Sequence, residues 1–272
     1  MWRILRQYPD PRILALAGAL GVGIFVYLWR VVGQHQLPER YAWLRLIAAG
    51  LIVYGLGYVP FFVNPDVDLT TTGVANRIAI AAAVGAALSM VGLLGWATTL
   101  LPVRVSGLRL FCLLITLLCA SGFVITNTIA SFWIAAYQQQ RVILSDIESH
   151  FATLPSRSTL ILDGICPYLG PGIVFEANWD LAGALRILYR ESTLRANVVT
   201  PNLRMGKKGL SVWLYGEESY YPYDENLLLY NFGNKVVYRL TDAEASQRYF
   251  QSFSLDRSGC PPGREGFGVT VF

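Results

Sequence analysis

The chain has 272 residues, 54% hydrophobic and only 15% charged, against the ~25% charged residues of an average soluble domain. Its formal net charge is +4 and it contains no run of Lys or Arg, which argues against nucleic acid as a partner. Charges are scarce from residue 13 to 137 and return to ordinary density from Arg141 onward, so the halves are written for two solvents, lipid first and water second. The predicted fold class is an α-helical membrane domain of four transmembrane helices followed by a small mixed α/β soluble domain. Its parts are residues 1–137, an amphipathic stalk helix at 138–155, and a soluble domain at 156–272 that is long enough to bury its own core.

Four apolar segments, 13–32, 43–63, 78–101 and 108–130, each carry about 20 residues, which spans ~30 Å of hydrocarbon at 1.5 Å per residue. Arg30, Arg45 and Arg109 sit at their ends, where they can snorkel, and Trp29, Trp43, Trp96 and Trp133 gather there as interfacial aromatics do. The first segment follows Arg3, Arg6 and Arg12. Its long apolar stretch and the lack of an Ala-x-Ala-like signal after it predict a retained span rather than a cleaved signal peptide. Ala15, Ala19 and Gly23 line one face of the first segment, and Ala81, Gly85 and Ser89 one face of the third, a spacing that lets helix backbones approach closely. No segment holds an ionisable residue near its centre, which weighs against a pump or a charged-ion pathway.

Between the second and third segments, NPDVDLTTTGVANR supplies Asp66 and Asp68. A D-x-D pair can hold a divalent cation against a phosphate, or offer a general base, so these are the candidate catalytic residues; the bland reading is a solvated turn. After the fourth segment, SFWIAAYQQQRVILSDIESHFATLP keeps helical spacing while Ile134, Tyr137, Arg141 and Leu144 turn amphipathic. It predicts a stalk helix that stops before Pro155, with His150 as a surface residue.

From Pro155 the period changes. TLILD at 159–163 reads as a buried strand ending at Gly164, Gly170-Pro171-Gly172 as a turn, and 173–175 as a second short strand. Asn178 is placed to cap a helix over 179–189 with Leu181, Leu185 and Leu188 on one face. Segments 197–200 and 210–215 are strand-like, and 227–232 and 235–240 flank Gly233-Asn234, a two-residue hairpin signal. Thr241 and Glu244 form a capping box opening a helix to about residue 253. Asp163 at a strand's carboxyl end, Glu176 after the next strand and Asp180 at the helix start are the candidate ligand-binding residues, because ligands of α/β sheets favour that edge. For Asp163 the favoured reading is the bland one, a turn-former before Gly164. Tyr215, Tyr220, Tyr221 and Tyr223 can stack on a sugar, or serve as amphipathic rings on a surface turn.

No P-loop, G-x-S-x-G, H-E-x-x-H or G-x-G-x-x-G occurs, so no complete catalytic motif and no cofactor is readable, and enzymatic activity stays open. With no CxxC and only His35 and His150, no metal site is expected. Cys112 and Cys119 lie seven apart on one apolar helix as packing residues. Cys166 and Cys260, each beside a Pro in the water-soluble half, are the predicted disulfide, with two unpaired thiols as the other reading. Such a bridge contributes about 4–5 kcal/mol in the chain-entropy model and needs an oxidising compartment. Arginines divide evenly between the two sides of a four-span topology, Arg3, Arg6, Arg12, Arg77 and Arg141 against Arg30, Arg40, Arg45, Arg104 and Arg109, so charge counting alone gives no orientation. With the N-terminal tail set aside, the first and third loops read as cytoplasmic and the soluble domain as extracytoplasmic.

The stretch FWIAAYQQQRVILSDIESHFATLPSRSTLILDG resembles the junction in bacterial envelope proteins where a last membrane helix runs through a stalk into a small extracytoplasmic α/β domain. CPYLGPGIVFEANWDLAGALRILYR resembles part of a recurrent bacterial domain. Over about the last 160 residues this layout is similar to the C-terminal part of multi-span membrane glycosyltransferases of the GT-C type. The resemblance implies a multi-pass protein of the bacterial inner membrane with its C-terminal domain extracytoplasmic. It implies a partial or degenerate glycosyltransferase acting on lipid-linked sugars; the alternative is a non-catalytic, membrane-anchored binding or assembly module for an envelope protein. Members of that family have more spans and a catalytic Asp in the first extracytoplasmic loop, to which Asp66 and Asp68 do not align.

Overall fold

The structure, a computed structural model, describes residues 11–32, 39–59, 79–100, 104–200, 202–214 and 217–252. It divides into two compact units, Met1–Ala130 and Ser131–Phe272.

The first unit contains helices α1 (Pro11–Val32), α2 (Arg40–Tyr58), α3 (Ala79–Thr98) and the beginning of α4 (Arg104–His150). Three stretches, Pro11–Val31, Arg40–Tyr58 and Gly107–His150, are long and apolar enough to cross a membrane. This corrects the expectation of four spans. The remaining apolar helix, Ala82–Thr98 within α3, is shorter over its described side chains. Thr98 Oγ1 and Thr99 Oγ1 donate to the carbonyls of Gly95 and Trp96 at 2.7 and 2.6 Å, which closes the helix there. With three candidate spans in place of four, the parity argument for the domain's side lapses.

The third segment's small-residue face is used. A Cβ added at Gly85 would strike the backbone N of Tyr54, one at Gly50 would lie 2.5 Å from Ser89 Oγ, and one at Gly92 would lie 2.8 Å from Ile47. α2 and α3 therefore meet backbone to backbone, as small residues permit. Trp43, buried, lies against Gly95 and tilts over Phe111 at a centroid distance of 5.3 Å. Gly23 on α1 has nothing within 4 Å of where a Cβ would stand, so the first segment's small face is open there. Ala81 lies outside the described side chains.

The second unit is a three-layer α/β domain. Strands β1 (Thr159–Asp163), β4 (Arg195–Val198) and β8 (Leu227–Asn231) are parallel, and β9 (Val236–Arg239) runs antiparallel to β8, in the order β4-β1-β8-β9. Alternation along β1 decides both faces. Leu160 and Leu162 pack with Ala136, Ile143 and Ile147 of α4 and with Leu181 and Leu185 of α5 (Asn178–Tyr189). Ile161 faces the other way, into Leu210, Val212, Tyr221, Tyr249 and Phe250. That second layer is a three-stranded antiparallel sheet of β5 (Leu203–Met205), β6 (Gly209–Leu214) and β7 (Glu217–Pro222), together with α6 (Ala243–Ser252). The remaining strands, β2 (Tyr168–Leu169) and β3 (Gly172–Ile173), form a small hairpin. Burial on both faces explains why Leu160, Ile161 and Leu162 are apolar in succession.

The end of α4 thus contributes Ala136, Ile143 and Ile147 to the domain's core. Three local expectations are also corrected. The hairpin turn has four residues, with Lys235 in the left-handed region at φ 61° and its N–H bonded to Asn231 O at 2.8 Å. Asp242, not Thr241, caps α6, accepting the N–H of Ala245 at 2.7 Å. The tyrosine run is strand β7, with Tyr221 in the core and Tyr220 exposed, so these rings form no common platform; Tyr215 lies outside the described residues.

Candidate functional site

The chain leaves the carboxyl end of β1 toward the α5 face and leaves the carboxyl end of the neighbouring β4 toward the β5–β7 face. Adjacent strands whose connections diverge in this way open a crevice outside their carboxyl ends. Asp163 stands at that edge. Tyr249 of α6 donates its hydroxyl hydrogen to Asp163 Oδ2 at 2.7 Å and accepts from Asn231 Nδ2 at 2.7 Å. Asn231 Oδ1 accepts the N–H groups of Gly233 and Asn234 at 2.9 and 3.2 Å, so one amide ties the β8–β9 turn to Tyr249 and through it to Asp163. Burial, and then the adjacent Asp163 carboxylate, push the Tyr249 phenol far above its ordinary pKa, so it stays a donor. Asp163 Oδ1 has no hydrogen-bond partner among the described residues. Nor has Thr200 Oγ1, which is buried just beyond β4. Two hydrogen-bonding groups are therefore unspent at the switch point.

Gly164 makes the edge possible. Its φ is +75°, and a Cβ there would lie 2.8 Å from both Asn231 Oδ1 and the backbone N of Gly233. Only glycine fits between the two turns.

A second polar cluster lies on the α4 face of the same edge. Tyr230, fully buried, donates its hydroxyl hydrogen to Asp146 Oδ2 and lies 3.2 Å from His150 Nδ1. Lys235 Nζ pairs with Asp146 Oδ1 at 2.8 Å and sits 3.4 Å from the centroid of the Phe232 ring. Burial, and then Asp146, raise the Tyr230 phenol. All four polar groups are satisfied by one another, which makes this cluster a lock between α4 and the sheet.

Of the predicted ligand-binding residues, Asp163 stands at the end of β1 with Oδ1 unbonded. Asp180 is turned to its own helix: Oδ2 accepts the N–H groups of Glu176 and Ala177 at 3.3 and 3.4 Å. Burial raises the Asp180 carboxyl, and those two N–H groups only partly oppose it. Glu176 is buried, 5% exposed. Asp66 and Asp68 lie outside the described residues. Cys166 is disulfide-bonded; Cys260, its expected partner, also lies outside the described residues. Among the described residues no group of three His, Cys, Asp or Glu side chains could hold a metal ion.

Sequence reasoning missed Thr200, Asn231, Tyr249 and the Asp146 cluster. Asp146 and His150 did leave a signal, an i,i+4 polar pair on a helix whose other face is apolar. Thr200 left none. Comparison with protein-family models, with curated proteins and with solved structures returns no match.

Proposed function

We propose that this chain is a membrane-anchored ligand-binding module of the bacterial envelope, with its α/β domain on the extracytoplasmic side. The observation that carries the binding reading is the unspent pair at the switch point, Asp163 Oδ1 and the buried Thr200 Oγ1. An unpaired buried hydroxyl costs about 1–3 kcal/mol, a cost that a bound hydrogen-bonding group offsets. The disulfide at Cys166 supports an oxidising compartment, with Cys260 as the partner we assign. Membrane anchoring rests on three apolar helices, the last of which continues into the domain's own core.

The test is thermal unfolding of the full chain in nanodiscs against a panel of envelope glycans and peptides. A ligand should raise Tm for the wild type and not for Asp163→Asn or Thr200→Val. Stabilisation that both variants retain would remove the site from the proposal. Orientation is tested on intact cells with a membrane-impermeant maleimide: Cys166 should label only after reduction.

The second reading is a partial or degenerate GT-C-like glycosyltransferase acting on lipid-linked sugars, favoured by the D-x-D of Asp66 and Asp68. Transfer from a polyprenyl-phosphate sugar that is abolished by Asp66→Asn and Asp68→Asn would replace the binding reading with this one.

A further inference from the structure

The β5–β7 sheet has one face in the core and one in water. Leu210, Val212 and Tyr221 point inward, into the cluster shared with Ile161 of β1 and with α6. Alternation then turns Gly209, Ser211 and Trp213 of β6 outward. The register sets Arg204 of β5 and Tyr220 of β7 on either side of Ser211, and Glu218 of β7 opposite Trp213. Trp213 is 56% exposed and Tyr220 45%. A Cβ added at Gly209 would stand 2.8 Å from the Tyr220 hydroxyl oxygen, so the tyrosine reaches back over bare main chain there. Tyr220 begins level with Ser211 and ends at Gly209, which sets its ring about three residues from Trp213 along β6, ~10 Å at ~3.4 Å per residue. The side chains of Arg204, Ser211 and Glu218, and the Trp213 indole N–H, have no hydrogen-bond or ion-pair partner among the described residues. Two open rings therefore share a face with four unspent hydrogen-bonding groups.

We propose that this face is a glycan-binding surface, on which Trp213 and Tyr220 stack against alternate units of an extended, β-1,4-linked pyranose chain. A pyranose ring offers a C–H face to an aromatic ring and hydroxyls at its rim to polar neighbours. Arg204 donates, Glu218 accepts, and Ser211 does both, so each has a hydroxyl to take. Arg204 and Glu218 are of opposite sign, which complements an uncharged ligand. Every second unit of a β-1,4-linked ribbon presents the same face, and the ~10 Å between the rings is about two sugar units. Area argues against a second copy of the chain. Three strands of this length give a face of roughly 10 Å by 20 Å, far short of the ~800 Å² per partner that a stable interface buries. The proposal stands without Asp163 and Thr200, and its failure leaves their binding reading untouched.

The test is calorimetric titration of the full chain in nanodiscs with chitotetraose and cellotetraose, both β-1,4-linked, and with maltotetraose, whose α-1,4 linkage does not lie flat. One or both β-linked tetramers should bind, at least tenfold more tightly than maltotetraose. Trp213→Ala and Tyr220→Ala should each weaken binding by about tenfold, the weight of one stacked ring, while Ile187→Ala, exposed on α5, should not change it. Both aromatic side chains are solvent-facing, so the variants should keep the wild-type Tm. Failure of both β-linked tetramers to bind overturns the proposal, as does equal binding of maltotetraose or binding that survives either aromatic substitution. Tryptophan quenching by brominated lipid in sugar-free discs that Trp213→Phe diminishes would assign the face to the bilayer instead. A dimer that Trp213→Ala dissociates would assign it to a second copy.

Discussion

The lock between α4 and the sheet yields a quantitative prediction. Tyr230 is fully buried and its hydroxyl donates to a carboxylate, a bond class worth about 1.5–3 kcal/mol. The Lys235–Asp146 pair is partly exposed, 42% and 19% at the two side chains, and contributes no more than ~1 kcal/mol. Tyr230→Phe removes the donor and leaves Asp146 with Lys235, so it should cost about 1.5–2 kcal/mol. Asp146→Ala removes both interactions and leaves the Tyr230 hydroxyl only His150 Nδ1 at 3.2 Å, so it should cost about 2–3 kcal/mol. The double variant should cost little more than Asp146→Ala alone, giving a coupling of about 1–2 kcal/mol. Pulse proteolysis of the full chain in urea, in detergent micelles, measures each value. A coupling below about 0.5 kcal/mol would refute the lock, and with it the assignment of the α4 end to the domain core.

Three further outcomes are expected. Gly85→Val should force α2 and α3 apart, cutting the monodisperse yield in detergent several-fold, whereas Gly18→Val, with nothing within 4 Å of its Cβ position, should leave the yield unchanged; fluorescence-detected size exclusion reads both. Gly164→Ala should destabilise by roughly 2 kcal/mol or more through its positive φ and the contact with Asn231, while Gly183→Ala, in open space on α5, should stabilise by about 0.5–1 kcal/mol; urea midpoints decide. Burial raises the Asp180 carboxyl, so its charged form costs stability above the folded pKa, and the cost disappears as the pH falls toward the unfolded value of about 4. Asp180→Asn keeps an acceptor for the Ala177 N–H and should be the more stable form near pH 7, with the advantage gone near pH 4; Tm against pH tests this.

The elements legible in the sequence were those whose local pattern and tertiary role agree. Leu160, Ile161 and Leu162 are apolar in succession because β1 is central and covered on both faces, and α5 shows Leu181 and Leu185 four apart because only one side of it is buried. β7 was unreadable for the opposite reason. EESYYP has no apolar run, and its one core residue, Tyr221, reaches the interior through pairing with β6 and a hydrogen bond from Asn197 at 3.0 Å. Asp180 carries the same letters whether it binds a ligand or caps a helix; the position of the Glu176 and Ala177 N–H groups decides in favour of the cap. Thr200 has no neighbour in sequence that marks it, because its hydroxyl is orphaned by what packs over it.

By itself the sequence determined the two solvents, apolar helices and then an α/β domain, and the near ends of its main strands and helices. Transfer free energy and periodicity act residue by residue and leave their mark locally. Tertiary structure alone decided that the far end of α4 belongs to the domain's core, that Asp163 keeps Oδ1 unbonded at the end of β1, and that Thr200 Oγ1 is buried without a partner. Those outcomes depend on which surfaces meet across tens of residues, and a single side chain's identity carries no record of its distant partner.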